Sequence, residues 1–245
     1  MFCDSHCHIF KEYYENIDSV INNAKKNGIN KIIVAADNMS SCKEVLELIN
    51  NYDNVYGCLG LHPENCLEDF DYNIIIDNKD KIVAIGEIGL DYYWTKETKD
   101  KQIEVFRKQL KIAEELNLPV VIHSRDATQD TINILNEYNV RGVIHSFSGS
   151  LETANIYLKM GFKLGVNGVI TFKNCNLKDV FVKLDPSNIV LETDSPFLSP
   201  VPYRGEQNEP SRIKEIAIFM SNLYNIELSE LEKITNDNIR LIFDI

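Results

Sequence analysis

Short, β-rich apolar runs recur along the 245 residues, separated by longer segments of helical period. The runs fall at residues 1–8, 31–36, 55–61, 82–85, 119–123, 142–145, 162–166 and 189–191. Buried strands that alternate with helices belong to a parallel sheet, because parallel neighbours need a crossover between them. Eight such units close into a (β/α)8 barrel, whose usual size is about 250 residues. A doubly wound open sheet is the alternative, but it normally uses fewer strands. No Pro/Gly/Ser-rich linker or low-complexity tract divides the chain, so residues 1–245 are expected to form a single α/β barrel domain.

The clearest helix is predicted over residues 99–117, where Ile103, Phe106, Leu110, Ala113 and Leu116 recur at three- and four-residue steps. Asn117 and Pro119 end it. A last helix is predicted over residues 229–243, with Ser229 and Glu232 at capping-box spacing. It is expected to pack outside the barrel as an extra C-terminal element.

The strand ends carry the chemistry. In "FCDSHCH" at residues 2–8, alternation puts His6 and His8 on one face and Ser5 and Cys7 on the other. Asp4 then lies one step deeper on the histidine face, where it would orient His6. Cys3 lies too far down the strand to be a ligand, and Cys7 is expected as a buried spacer. "PVVIH" ends at His123 and "GVIH" at His145, Glu87 follows the fourth strand in "VAIGEIGLD", and Asp194 follows the eighth in "IVLETDSP". In a barrel these C-terminal strand ends converge on one mouth. Four histidines and two carboxylates gathered there would be desolvated without partners unless cations supplied them. Two divalent metal sites follow, with His6, His8, Glu87, His123, His145 and Asp194 as ligands and one carboxylate bridging. Imidazole-rich sites suit zinc, manganese or cobalt better than a purely magnesium-built site, although magnesium-supported activity fits the same ligands.

Composition narrows the partners. A net charge of −12 opposes the broad phosphate neutralisation that an extended duplex footprint requires. Six scattered cysteines, without a signal peptide or a membrane-length apolar run, point to reduced thiols in the cytoplasm and no membrane partner. Monomer or oligomer is left open.

Motifs along the chain, in order, resemble the TatD-type metal-dependent deoxyribonucleases among the amidohydrolase-like barrels. They are "DSHCH", "GLHP" from Gly60, "GEIGLDYY" from Gly86, "HSRDA" from His123, "HSFSGS" from His145, "ETDSPFL" from Glu192, "RGEQNEP" from Arg204 and "NIRLIF" near the end. The resemblance implies a TIM-type barrel hydrolase cleaving phosphodiester bonds in DNA, often from a strand end. The family's ligand positions fall on the same six residues.

On this reading Glu87 bridges two cations, with His6, His8 and Asp194 on one and His123 and His145 on the other. A metal-bridging hydroxide attacks phosphorus, and Asp194 orients the water and takes its proton. His62, Arg125 and Arg204 are assigned to substrate phosphate, which suits guanidinium forks. Tyr92, Tyr93 and Trp94, with Phe147 and Phe197, either stack on a base or pack the core. The rival readings are a same-barrel hydrolase of C–N or cyclic amide bonds and a noncatalytic metal-bound adaptor.

Overall fold

The computed structural model describes residues 1–94 and 96–245. Its strands are β1 Phe2–Cys7, β2 Ile29–Ala35, β3 Val55–Leu59, β4 Ala84–Asp91, β5 Val120–Arg125, β6 Gly142–Ile144, β7 Phe162–Val166 and β8 Ile189–Leu191. All pair in parallel and in chain order. Between them run the helices α1 Ile17–Lys26, α2 Met39–Asn51, α3 Asn73–Asp77, α4 Lys99–Leu116, α5 Thr128–Leu135, α6 Leu151–Lys159 and α7 Lys178–Phe181. Helices α8 Ile213–Tyr224 and α9 Leu228–Phe243 follow β8. This is the predicted (β/α)8 barrel with one added helix.

The barrel closes one segment beyond β8. Thr193 N and Oγ1 donate to Asp4 Oδ1 and Oδ2 at 2.9 and 2.5 Å, Asp194 N donates to the His6 carbonyl at 3.0 Å, and His8 N donates to the Ser195 carbonyl at 2.7 Å. These bonds tie β1 to the stretch that carries Asp194, so the seam and the mouth share residues.

Two apolar layers follow from strand alternation. Cys3, Ile33, Ala35, Cys58, Ala84, Val121, Val143 and Val190 meet inside the barrel, while Ile32, Val34, Leu59 and Ile85 face the helices. Helix α9 packs outside the barrel, as expected, but not on its side wall. Its Ile239, Ile242 and Phe243 join the interior cluster and close the barrel floor, opposite the mouth. Asn238 Nδ2 fastens it to the Ile189 carbonyl at 2.7 Å. Each buried apolar side chain there contributes roughly 1.5–3 kcal/mol. The predicted capping box does not form either: the helix starts one residue earlier, at Leu228, and Glu232 pairs with the N-terminal amine at 2.6 Å.

Two bulges set the site. In β1 the register slips between Asp4 and Cys7, so Cys3 faces the interior and His6 faces the mouth despite their odd separation. Asp4 therefore lies off the histidine face. It holds the His6 backbone N–H at 3.3 Å and Thr193 rather than the His6 ring. In β4 the slip lies between Ile85 and Ile88, and the strand then continues to Asp91 instead of stopping at Ile85. Glu87 is thus held within a strand, not in a loop after it. Gly89, at φ 146°, pairs with His123 so closely that a Cβ would lie 1.9 Å from the His123 carbonyl oxygen.

Helix α4 keeps its predicted boundaries, with Asn117 in the left-handed region at its end. Its inner face is not wholly apolar. Gln102 and Gln109, seven residues and about two turns apart, are fully buried. Gln109 exchanges two hydrogen bonds with the Leu61 backbone, at 2.8 and 3.0 Å, and Gln102 does the same with Asp91, at 2.8 and 2.9 Å. Both amides therefore grip strand ends at the mouth.

Candidate metal centre

All six predicted ligands meet at the C-terminal mouth, together with His62. His6 Nε2 lies 3.1 Å from His8 Nε2, and their carboxylate neighbour is Glu87 Oε2, at 3.3 and 3.5 Å respectively. The other Glu87 oxygen, Oε1, is 2.8 Å from His123 Nδ1, 3.8 Å from His145 Nε2 and 3.7 Å from His62 Nε2. Asp194 Oδ1 stands 3.6 to 3.8 Å from the Nε2 atoms of His6, His8 and His145. Three overlapping groups result: His6, His8 and Glu87; His6, His145 and Asp194; His62, Glu87 and His123. Within each, the donor atoms lie within 4.8 Å of one another.

The donor chemistry fits divalent cations. A backbone carbonyl only accepts, so the His8 Nδ1 contact with the Ala35 carbonyl at 2.9 Å puts the proton on Nδ1 and the lone pair of Nε2 into the site. Imidazole nitrogens and carboxylate oxygens converging in this way, on buried walls, are the ligand types of zinc and manganese sites.

Without cations the charges compensate one another. Burial alone would raise Glu87 and Asp194, but the histidines, His145 foremost, hold both carboxyls below their ordinary values. Burial would lower His123 and His145, but Asp91 with Glu87 raises His123 to about 9, and Glu192, Glu87 and Asp194 raise His145 to about 10. His8 is likewise raised, burial being outweighed by Asp194. His6 and His62 go the other way: burial and a neighbouring histidine push His6 down and His62 down to about 3.

Two carboxylates that no ligand pattern flagged stand behind the histidines. Asp91 Oδ2 is 2.9 Å from His123 Nε2, and Glu192 Oε1 is 3.0 Å from His145 Nδ1 while it accepts the Ser146 N–H at 2.6 Å. Gly165 makes room for Glu192, since a Cβ there would sit 2.4 Å from Glu192 Oε2. Carboxylates orient metal-binding imidazoles in this way. The available signals were "GLD", whose aspartate is four residues after Glu87, and "LET", whose glutamate is two residues before Asp194.

Asp194 has a left-handed backbone, φ 56°, which aspartate tolerates better than most residues. Its N–H on the His6 carbonyl and its own carbonyl under Phe197 N hold that conformation. Arg125 ends β5 and is exposed, its guanidinium 4.1 Å from the Tyr93 ring centre and 5.3 Å from that of Trp94. Arg204 is exposed in the loop after β8, 4.3 Å over the Phe172 ring. Neither forms an ion pair among the described residues. Tyr92 packs, donating to Asp130 at 2.9 Å, and Phe147 is core. Tyr93, Trp94 and Phe197 are exposed, with Phe197 6.5 Å from the His8 ring. The cysteines at residues 3 and 7 are buried, as expected of spacers. No helix among the described residues is long and apolar enough to cross a membrane.

Comparison with known proteins agrees with this architecture. The family model described as TatD related DNase matches residues 3–244. The uncharacterized metal-dependent hydrolase YabD of Bacillus subtilis is 39% identical, with both chains covered completely. The crystal structure of YJJV, a TatD homolog from Escherichia coli K12, superposes with a TM-score of 0.94 at 31% identity, covering 100% of this chain and 98% of that one. A TatD family hydrolase from Entamoeba histolytica follows at a TM-score of 0.89 and 28% identity, with 100% and 98% covered. Matched over nearly its whole length by the family model and along all of it by a relative of 39% identity, this chain belongs to the TatD family of metal-dependent hydrolases.

Proposed function

We propose that the mouth holds two divalent cations, zinc, manganese or magnesium, and hydrolyses phosphodiester bonds at the ends of DNA strands. The observation that carries the reading is the division of Glu87: Oε2 faces His6 and His8, while Oε1 faces His123 and His145. That division suits a bridging carboxylate between His6, His8 and Asp194 on one side and His123 and His145 on the other. When bound, such cations lower the pKa of water and neutralise charge on phosphate oxygens.

The chain's own groups do the rest. Asp194, ionised at neutral pH, holds the attacking water at Oδ1 and accepts its proton. His62 is neutral, and its Nδ1 accepts the Glu64 N–H at 3.3 Å, so its proton sits on Nε2, facing the site. From there it donates to a phosphate oxygen. Arg125 and Arg204, free of carboxylate partners among the described residues, offer guanidinium forks to phosphate from the rim. The net charge of −12 favours a compact footprint on a strand end over a long duplex track. The description of the matching family as a DNase supports the same substrate class.

The test is metal reconstitution followed by single-stranded DNA, duplex DNA, RNA, and activated phosphodiester and amide substrates, with product lengths read out. Stepwise shortening of DNA is the expected result. Amide turnover without phosphodiester turnover contradicts the proposal.

A further inference from the structure

Asp91 lies outside the predicted ligand set, yet it touches both a predicted ligand, His123, and the loop beneath Arg125. It is fully buried at the end of β4. Oδ2 is 2.9 Å from His123 Nε2. Oδ1 accepts the backbone N–H groups of Tyr93 and Trp94, both at 2.9 Å. Those two rings carry the Arg125 guanidinium. The Asp91 backbone is itself gripped by Gln102, through N at 2.8 Å and O at 2.9 Å, so the carboxylate is fixed from behind.

An ionised carboxylate only accepts hydrogen bonds. The contact at His123 Nε2 therefore requires an N–H there, which leaves Nδ1, 2.8 Å from Glu87 Oε1, as the atom available to a cation. We propose that Asp91 is a positioning residue with two separable duties: one oxygen sets the tautomer of His123, and the other holds the aromatic platform beneath Arg125. The inference rests on the metal-centre reading given above. It makes metal binding and the posture of the phosphate-binding rim depend on one side chain.

The two duties separate by substitution. In Asp91→Asn the loop N–H groups still need an acceptor, so the amide oxygen takes the Oδ1 place and the NH2 faces His123 Nε2. A donor there demands the Nε2 lone pair, which moves the imidazole proton to Nδ1 and withdraws that atom from metal. Asp91→Ala removes both duties. Trp94 is the chain's single tryptophan, so its fluorescence reports the loop directly.

Zinc affinity is measured by competition with a chromophoric chelator, alongside Trp94 emission and anisotropy and the nitrogen NMR signals of His123. In Asp91→Asn one zinc site weakens by about 10–100-fold, the other is unchanged, and Trp94 keeps its wild-type signal. Asp91→Ala weakens the same site and also shifts Trp94 emission and lowers its anisotropy. Wild-type affinity at both sites in Asp91→Asn, with the His123 Nε2 proton retained, overturns the role, as does an unchanged Trp94 signal in a folded Asp91→Ala. The near-isosteric Asp91→Asn keeps the test decisive where the alanine variant does not fold. A wild-type protein that binds no zinc overturns the metal-centre reading and this role with it. Two zinc ions bound equally well by wild type and variants overturn the role of Asp91 alone.

Discussion

Glu87 Oε1 meets His123 Nδ1 at 2.8 Å, across a bulge that re-aims β4 toward β5. Its second oxygen turns to His6 and His8 on β1. One side chain thus links the histidines of β1 with that of β5.

Asp194→Asn keeps the shape of the side chain but loses the proton acceptor. Turnover on a phosphodiester should fall by about 10³-fold or more, combining loss of general-base action with a weaker ligand. The metal-free variant should still fold cooperatively, with a melting temperature below wild type at neutral pH because His8 and His145 lose a carboxylate partner. Near-normal hydrolysis removes Asp194 from the reaction.

The metal-free and metal-loaded proteins should respond oppositely to pH. His123 and His145 are raised to about 9 and about 10, above the ordinary value of 6.5. Their contribution to metal-free stability is therefore full below about pH 6.5 and is lost as pH rises through 9 and 10. Ligating imidazoles must shed those same protons, so metal affinity rises with pH over that window. The rise in melting temperature on adding zinc should grow steadily from pH 6.5 to 9.5. A zinc-induced shift that is flat across that range contradicts the assignment.

The residues that carry this chemistry were legible because they end apolar runs that have to be buried: His145 and Asp194 follow β6 and β8, and His123 closes the apolar part of β5, which itself continues to Arg125. What sequence could not show are features set by pairing between distant segments. The β1 bulge puts Cys3 and His6 on the same side, so strict alternation wrongly grouped Asp4 with the histidines. Strand β4 runs on to Asp91 because β5 continues to pair with it, not because its residues form an apolar run. Gln102 and Gln109 were not singled out, because their burial depends on strand backbone from distant segments lying against them. Helix α9 looks like any amphipathic helix, and only the open floor of the barrel explains where its apolar face goes.

Gln109→Ala tests the grip of α4 on the strand that leads to His62. The substitution leaves the Leu61 N–H and carbonyl buried without partners, at a cost of about 1–3 kcal/mol each. Thermal unfolding should shift down by roughly 4–24 °C for a chain of this size. KM for a phosphodiester should rise through the displaced His62, with zinc affinity retained. An unchanged melting temperature contradicts the grip.

Arg204→Ala removes an exposed guanidinium that stacks on Phe172 and has no carboxylate partner among the described residues. Stability should change by less than about 0.5 kcal/mol. The kcat/KM for phosphodiesters should fall by about 10–100-fold, the range of a charge-assisted hydrogen bond to phosphate, with metal content unaltered. Unchanged kinetics demote Arg204 to a surface residue.

The binuclear centre is tested most directly by anomalous diffraction from crystals grown with manganese. The account predicts two peaks about 3.5–4 Å apart, the spacing of two-metal hydrolytic sites. One should lie beside His6, His8 and Glu87 Oε2, the other beside His123, His145 and Glu87 Oε1. A single peak, or none between these side chains, contradicts it.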